Sequence, residues 1–228
     1  MIGRRIQEIR TELTAAARGC GRDPAGIKLI AVSKRFPVEA ILAARAAGQT
    51  VFGENYLQEA ADKRALLPDD VELHLIGHLQ SNKAKAAATL FTMIHTIDRF
   101  KIAAALNRYL EEEQRHLDVL VQINVGRDPN KTGVLPEDAE ALLDRLATLP
   151  NLRVMGLMTM PPYNEDPELS RPCFRELHRL AETFRQLGLF AAGAPPELSM
   201  GMSHDYRIAI EEGATMIRIG TAIFGERY

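Results

Sequence analysis

Ser33-Lys34-Arg35 stands where the apolar run Ile27-Lys28-Leu29-Ile30-Ala31-Val32 ends, so a lysine amine is held at the end of a buried β-strand. Desolvation by that strand, with the Arg35 cation beside it, favours the neutral amine that attacks an aldehyde. Most lysines at strand ends only reach solvent, so the position needs a second part. The far end of the chain has one. Met216-Ile217-Arg218-Ile219 runs into Gly220-Thr221-Ala222, small residues whose backbone N–H groups and hydroxyl suit a phosphate. A Schiff-base lysine with a phosphate cradle points to pyridoxal phosphate.

Arg218 is a charge set among apolar residues, and strand alternation points it opposite to Ile217 and Ile219. It must find a partner or a ligand: either a structural ion pair or a donor to the pyridine nitrogen of the cofactor. In the second case the guanidinium keeps that nitrogen an unprotonated acceptor, which weakens the ring as an electron sink. Ser199-Met200-Gly201-Met202-Ser203 offers two hydroxyls and a glycine just before a helical pattern. Ser203 can serve as the N-cap, which leaves Ser199 for the phosphate.

Asn55 and His78 occupy other loops of the same kind and are candidates to pack on or bond to the ring, although a lone histidine is more often structural. His74 and His78 have an H-x-x-x-H spacing with no helix around it and no third ligand, so no metal site is expected. Lys131, in Asn130-Lys131-Thr132-Gly133, is the rival Schiff-base lysine, and its setting reads as solvated, against a lowered pKa. Met155, Met158 and Met160 read as packing residues.

The elements that must position these residues alternate along the chain. An amphipathic helix opens it, with Ile2, Ile6, Ile9 and Leu13 on one face. Strand and helix patterns then follow in turn: Ile27–Val32 and Val38–Ala47, Thr50–Phe52 and Tyr56–Leu66, Glu72–Ile76 and Asn82–Leu90, Thr92–Ile97 and Phe100–Glu113. The second half continues with Val119–Val125 and Glu137–Leu149, Arg153–Met158 and Glu168–Leu187, Glu197–Ser199 and Asp205–Glu211, and ends on Thr215–Ile219. Eight strand patterns, some apolar throughout, suit a parallel sheet closed into a single-domain (β/α)8 TIM barrel with an extra N-terminal helix. A doubly wound open sheet is the weaker alternative, because no G-x-G-x-x-G follows the first strand. In the barrel, Lys34, Asn55, His78, Ser199, Gly220 and Thr221 all fall at the C-terminal ends of strands, where ligand chemistry gathers. The most loop-like segments are Gly126–Gly133, Pro161–Pro167 and Gly188–Pro196.

With 228 residues, 46% of them hydrophobic, the chain can bury a sizeable core as one domain. Its net charge of −2 is interspersed, and the runs Glu111-Glu112-Glu113 and Arg4-Arg5 are short, so neither a nucleic-acid nor a membrane surface is implied. Cys20 and Cys173 form no C-x-x-C pair and no secretory segment precedes them, which fits a reducing cytoplasm. No apolar run approaches the ~18 residues of a membrane span.

Five stretches together carry a resemblance: Ala31-Val32-Ser33-Lys34, Phe52-Gly53-Glu54-Asn55-Tyr56, Ile76-Gly77-His78-Leu79-Gln80-Ser81-Asn82-Lys83, Leu198-Ser199-Met200-Gly201-Met202-Ser203 and Ile217-Arg218-Ile219-Gly220-Thr221-Ala222-Ile223-Phe224-Gly225. In these the chain, from about Ile27 to Phe224, closely resembles the pyridoxal phosphate homeostasis protein family. The resemblance implies a barrel similar to the N-terminal domain of bacterial alanine racemase, with Lys34 as the Schiff-base lysine and Arg218 as the pyridine-nitrogen partner. It further implies Ser199, Gly220 and Thr221 as phosphate ligands, with Asn55, Met200 and His78 as pocket neighbours. Many relatives have Trp-His before the Ile-Gly motif, whereas this chain has Leu73-His74 and no tryptophan, which puts local packing in question.

The expected role is a carrier and buffer of pyridoxal 5′-phosphate in vitamin B6 and amino-acid homeostasis, with little or no turnover. Expected partners are the cofactor and the apo-enzymes that receive it, and the chain is expected to act as a monomer. The alternative is an amino-acid racemase, which needs a second base that alanine racemases take from a separate domain. Tyr56 and Tyr206 are the first candidates for that base. A class I aldolase-like phosphosugar barrel is a third reading, which the five motifs speak against.

Overall fold

The computed structural model describes residues 1–191 and 195–226, so part of the predicted loop Gly188–Pro196 lies outside the described residues. The opening helix α1 (Ile2–Gly19) buries Ile6, Ile9, Leu13 and Ala17, the stripe that a 3.6-residue period demands. Strand and helix then alternate: β1 (Lys28–Val32), α2 (Val38–Ala46), β2 (Val51–Glu54), α3 (Leu57–Arg64), β3 (Glu72–Leu75), α4 (Ala84–Leu90), β4 (Met93–Ile97) and α5 (Phe100–Glu112). The second half follows with β5 (Leu117–Gln122), α6 (Ala139–Leu146), β6 (Leu152–Met158), α7 (Arg171–Gln186), β7 (Glu197–Ser199), α8 (Tyr206–Glu211), β8 (Met216–Ile219) and α9 (Thr221–Phe224).

The eight strands pair in sequence order into a closed parallel barrel. Closure is made by β1 against β8, with Lys28 opposite Met216 and Ile30 opposite Arg218. Closure therefore sets the two ends of the chain's chemistry, Lys34 and Gly220-Thr221, at adjacent strand ends.

Alternation along the strands divides the apolar residues between two layers. Ala31, Phe52, Leu73, Ile94, Val119, Leu157, Leu198 and Ile217, one from each strand, face the helices. Ile30, Val51, Met93, Leu120, Met158 and Met216 pack against one another inside the barrel. Leu73, where local packing was in question, is buried in the outer layer between sheet and helices.

Several boundaries shift by one to three residues from the pattern-based expectation, and three differences have a clear physical cause. The fifth strand stops at Gln122 rather than Val125, because Asn124 turns the chain: its side chain accepts from Asp128 N at 3.2 Å and donates to Asp128 O at 2.9 Å. The helix expected over Glu137–Leu149 shortens to α6, its first turn tightened into a 3-10 helix over Pro136–Asp138. The short α9 was not expected at all; its four residues offer too little periodicity to be seen.

Candidate functional site

The C-terminal mouth of the barrel encloses a cavity of about 480 Å³. Six of the eight sequence-predicted residues line it: Lys34, Asn55, His78, Arg218, Gly220 and Thr221. A larger cleft of about 640 Å³ lies between α1 and α8. It shares Ser203 and His204 with the mouth but contains none of those six residues.

Lys34 reaches the cavity by alternation, since Ile30 faces the interior and Val32 and Lys34 line the mouth above it. The turn that carries it is held from behind. Ser33, fully buried on the opposite face, donates from Oγ to Glu54 Oε1 at 2.7 Å. Lys63 on α3 reaches down to the same turn, its Nζ donating to Ser33 O (2.8 Å), Glu54 Oε1 (2.7 Å) and Glu59 Oε1 (2.6 Å). Glu59 accepts in turn from the backbone N–H of Arg35, a residue held at φ 64°, a left-handed conformation that costs energy without such support. Burial pushes the Glu54 carboxyl upward, opposed by Lys63 and Ser33.

Arg218 is only 4% exposed, and the two hydrogen bonds of its side chain among the described residues go to neutral acceptors. Nη1 donates to Ser199 Oγ at 2.6 Å and Nη2 to Thr159 O at 2.9 Å. Burial pushes the guanidinium down to about 10, so it stays charged at neutral pH. A buried cation bonded only to neutral groups has donors left for an electron-rich ligand.

The remaining predicted residues need correction. Ser199 does not line the cavity: its buried Oγ is taken by Arg218 and by His95 Nδ1 at 2.9 Å. Met200, one residue on, packs in the outer layer by the same alternation. Ser203 lines the mouth instead, because Gly201, at φ 90°, turns the chain so that its carbonyl accepts from Arg218 N. A side chain at position 201 would sit 2.6 Å from Ala209 Cβ. The residue capping this segment is Asp205, whose Oδ1 accepts from Met202 N at 2.7 Å.

Lys131 is not as solvated as its sequence suggests. Its amine donates to the carbonyls of Met160 and Pro161, and burial lowers its pKa. His78 sits at the exposed rim, where Arg99 Nη2 lies 3.0 Å from its Nε2. Of the tyrosines, Tyr206 donates to Glu12 on α1 and Tyr56 is exposed outside the mouth. Neither lines the cavity, whereas Tyr163 and His204 do.

Sequence reasoning missed several lining residues, among them Thr96, Gln122, Met158 and Ser203. One signal was available. Gln122 follows Val119-Leu120-Val121 as Arg218 follows Ile217, a polar residue in an apolar strand; its amide donates to Thr132 O at 2.9 Å.

Beneath the cavity two buried histidines touch, with His74 Nδ1 3.0 Å from His95 Nε2. Burial, the larger cause for each, holds His74 below its usual range and His95 well below it. Unfolded, both would titrate near 6.5. Below that pH the unfolded chain binds more protons than the folded one, so stability falls with acidification, by at most about 1.4 kcal/mol per pH unit for each histidine. Urea midpoints should therefore decline between about pH 6.5 and 5, and His95→Asn should flatten that slope. A midpoint indifferent to pH across this window would contradict a neutral buried pair.

Comparison with known proteins follows the same lines. Residues 6–228 match the family described as alanine racemase, N-terminal domain. The pyridoxal phosphate homeostasis protein of Aquifex aeolicus is 42% identical over 224 residues, covering 98% of this chain and 97% of the relative. That of Escherichia coli K12 is also 42% identical, over 236 residues. PipY of Synechococcus elongatus has been solved with and without PLP, at 38% identity and TM-scores of 0.85 and 0.88, each covering 99% of this chain and all of the other.

Proposed function

The chain belongs to the alanine racemase N-terminal domain family, among its pyridoxal phosphate homeostasis proteins, and on that premise we propose that it binds pyridoxal 5′-phosphate through Lys34 and serves as a reservoir of the cofactor. The observation that carries this reading is the convergence of Lys34, Arg218 and Gly220-Thr221 on one cavity across the β1–β8 closure. A further feature of the cavity fits such a ligand: Asn55 Oδ1 is buried and has no hydrogen-bond partner within the described residues, as expected where a ligand completes the bonding. Bound there, the cofactor supplies an aldehyde that condenses with the Lys34 amine, with loss of water, and is thereby withheld from other amines.

The protein groups divide the work of holding it. Lys34 anchors the aldehyde end, and Arg218 donates to the ring nitrogen. Thr221, Gly220 and Ser203 hold the phosphate through hydroxyls and backbone N–H groups. Ser203 replaces Ser199 in this role. Thr221→Val and Ser203→Ala should each weaken pyridoxal phosphate binding by about 1–3 kcal/mol, roughly tenfold or more, with little change in unfolding midpoint. Equilibrium titration followed by absorbance checks this; unchanged affinity in both variants would move the phosphate elsewhere.

Arg218 also argues for retention over turnover. A guanidinium only donates, so the ring nitrogen stays unprotonated and the ring remains a weak electron sink. The protein then acts on the availability of the cofactor in vitamin B6 and amino-acid balance, passing it to apo-enzymes. Its two free cysteines fit a reducing compartment such as the cytoplasm. No helix among the described residues is long and apolar enough to cross a membrane. We further propose that it works as a monomer.

The test is to incubate the loaded protein with single enantiomers of several amino acids and follow chirality and keto-acid formation. Negligible turnover is expected. Efficient turnover lost in Lys34→Ala would favour a racemase, with Tyr163 and His204 the first residues to replace.

A further inference from the structure

The buried histidine pair is linked through Ser199 to the arginine that lines the cavity. We propose that Ser199, His95 and His74 form a one-directional hydrogen-bond chain from Arg218 that ends beside the Glu72 carboxylate and positions the guanidinium against the ring edge of the bound cofactor.

The direction follows from donor inventory. A guanidinium only donates, so Ser199 Oγ accepts from Arg218 Nη1 at 2.6 Å. Ser199 is fully buried, and the described partner left for its own proton is His95 Nδ1, at 2.9 Å. His95 Nδ1 therefore accepts, and the imidazole proton sits on Nε2. That proton faces His74 Nδ1 at 3.0 Å, which must accept in turn. His74 then carries its proton on Nε2, 3.8 Å from the Glu72 carboxylate at the other end of the barrel.

Reversing the chain would leave the Ser199 proton without an acceptor and set a bare His74 nitrogen against a carboxylate. Both faults fall on buried groups, where unmade hydrogen bonds are costly. Burial disfavours an added proton on either ring; neighbouring cations add to this at His95, whereas at His74 the nearby carboxylates oppose it without overcoming burial. His95 faces His74, Arg218 and Lys28, while His74 faces Lys28 along with Glu72 and Asp118. The pair thus stays neutral, and its polarity keeps Ser199 an acceptor toward Arg218.

The chain also gives Ser199 a purpose in place of the expected phosphate contact. Its hydroxyl fixes one end of the guanidinium, with Thr159 O fixing another, so that the free donors keep one direction. Ser199, His95 and His74 are positioning residues, and the role in cofactor binding rests on the reading of Arg218 given above.

The test begins with the full chain labelled with 15N, with and without pyridoxal phosphate, and records the imidazole ring correlations between about pH 6 and 8. Both histidines are expected to carry the proton on Nε2 and to hold that form across the range. A proton on Nδ1 of either ring, or titration of either, would overturn the chain. The second arm measures the absorbance maximum and affinity of bound pyridoxal phosphate. Ser199→Ala and His95→Leu are expected to move the maximum and weaken affinity about tenfold, while His95→Asn, whose amide can replace the Nδ1 acceptor, restores both. A purely structural role would lower unfolding midpoints without moving the maximum, and that result in folded Ser199→Ala would overturn the positioning role. Predicted tautomers without any cofactor band in the unmodified protein would instead overturn the cofactor reading and, with it, the positioning claim.

Discussion

Replacing Lys34 by alanine should abolish covalent retention of pyridoxal phosphate and weaken total binding by two orders of magnitude or more, about 3 kcal/mol or above. The fold should survive. Lys34 sits in a turn at the barrel mouth, outside the two apolar layers, and Ser33, Glu54, Lys63 and Glu59 hold that turn from behind. Far-ultraviolet circular dichroism and urea midpoint should be nearly unchanged, while the visible band of the loaded protein disappears. Retention of that band in the variant would assign the anchor to another lysine, and the half-buried Lys131 is the first to consider.

The second large effect concerns Arg218. Arg218→Met should lower pyridoxal phosphate affinity at least tenfold and shift the band, yet leave the ligand-free protein as stable or more so. A buried charge whose described hydrogen bonds go only to a hydroxyl and a carbonyl is costly to keep, and a hydrophobic residue of similar length often fits such a place better. Loss is limited because Ser199 retains its contact with His95, leaving Thr159 O as the main acceptor deprived of a donor. Stability gained where binding is lost is the trade expected of a functional site. A large fall in the ligand-free urea midpoint would instead make Arg218 a structural residue.

The barrel was legible because each strand reports itself by a short apolar run and each helix by its stripe, as with Ile6, Ile9 and Leu13 in α1. Boundaries slipped where side chains rather than periodicity end an element, as Asn124 does after β5. In the site, Lys34 and Arg218 were visible because charges at those places in apolar strands require an explanation. Ser199 and Ser203 could not be sorted from sequence. The choice depends on the left-handed turn at Gly201 and on His95, which lies 104 residues from Ser199 in the chain. The support of Lys34 by Glu54 and Lys63 was hidden for a related reason, since those residues meet only once β1, β2 and α3 have packed.

The most direct measurement is to load the unmodified protein with pyridoxal phosphate, reduce it with borohydride and map the pyridoxyl group by peptide mass spectrometry. The account predicts one predominant site, Lys34. A label found chiefly on Lys131 or Lys83, or no label on a protein otherwise folded, would contradict it.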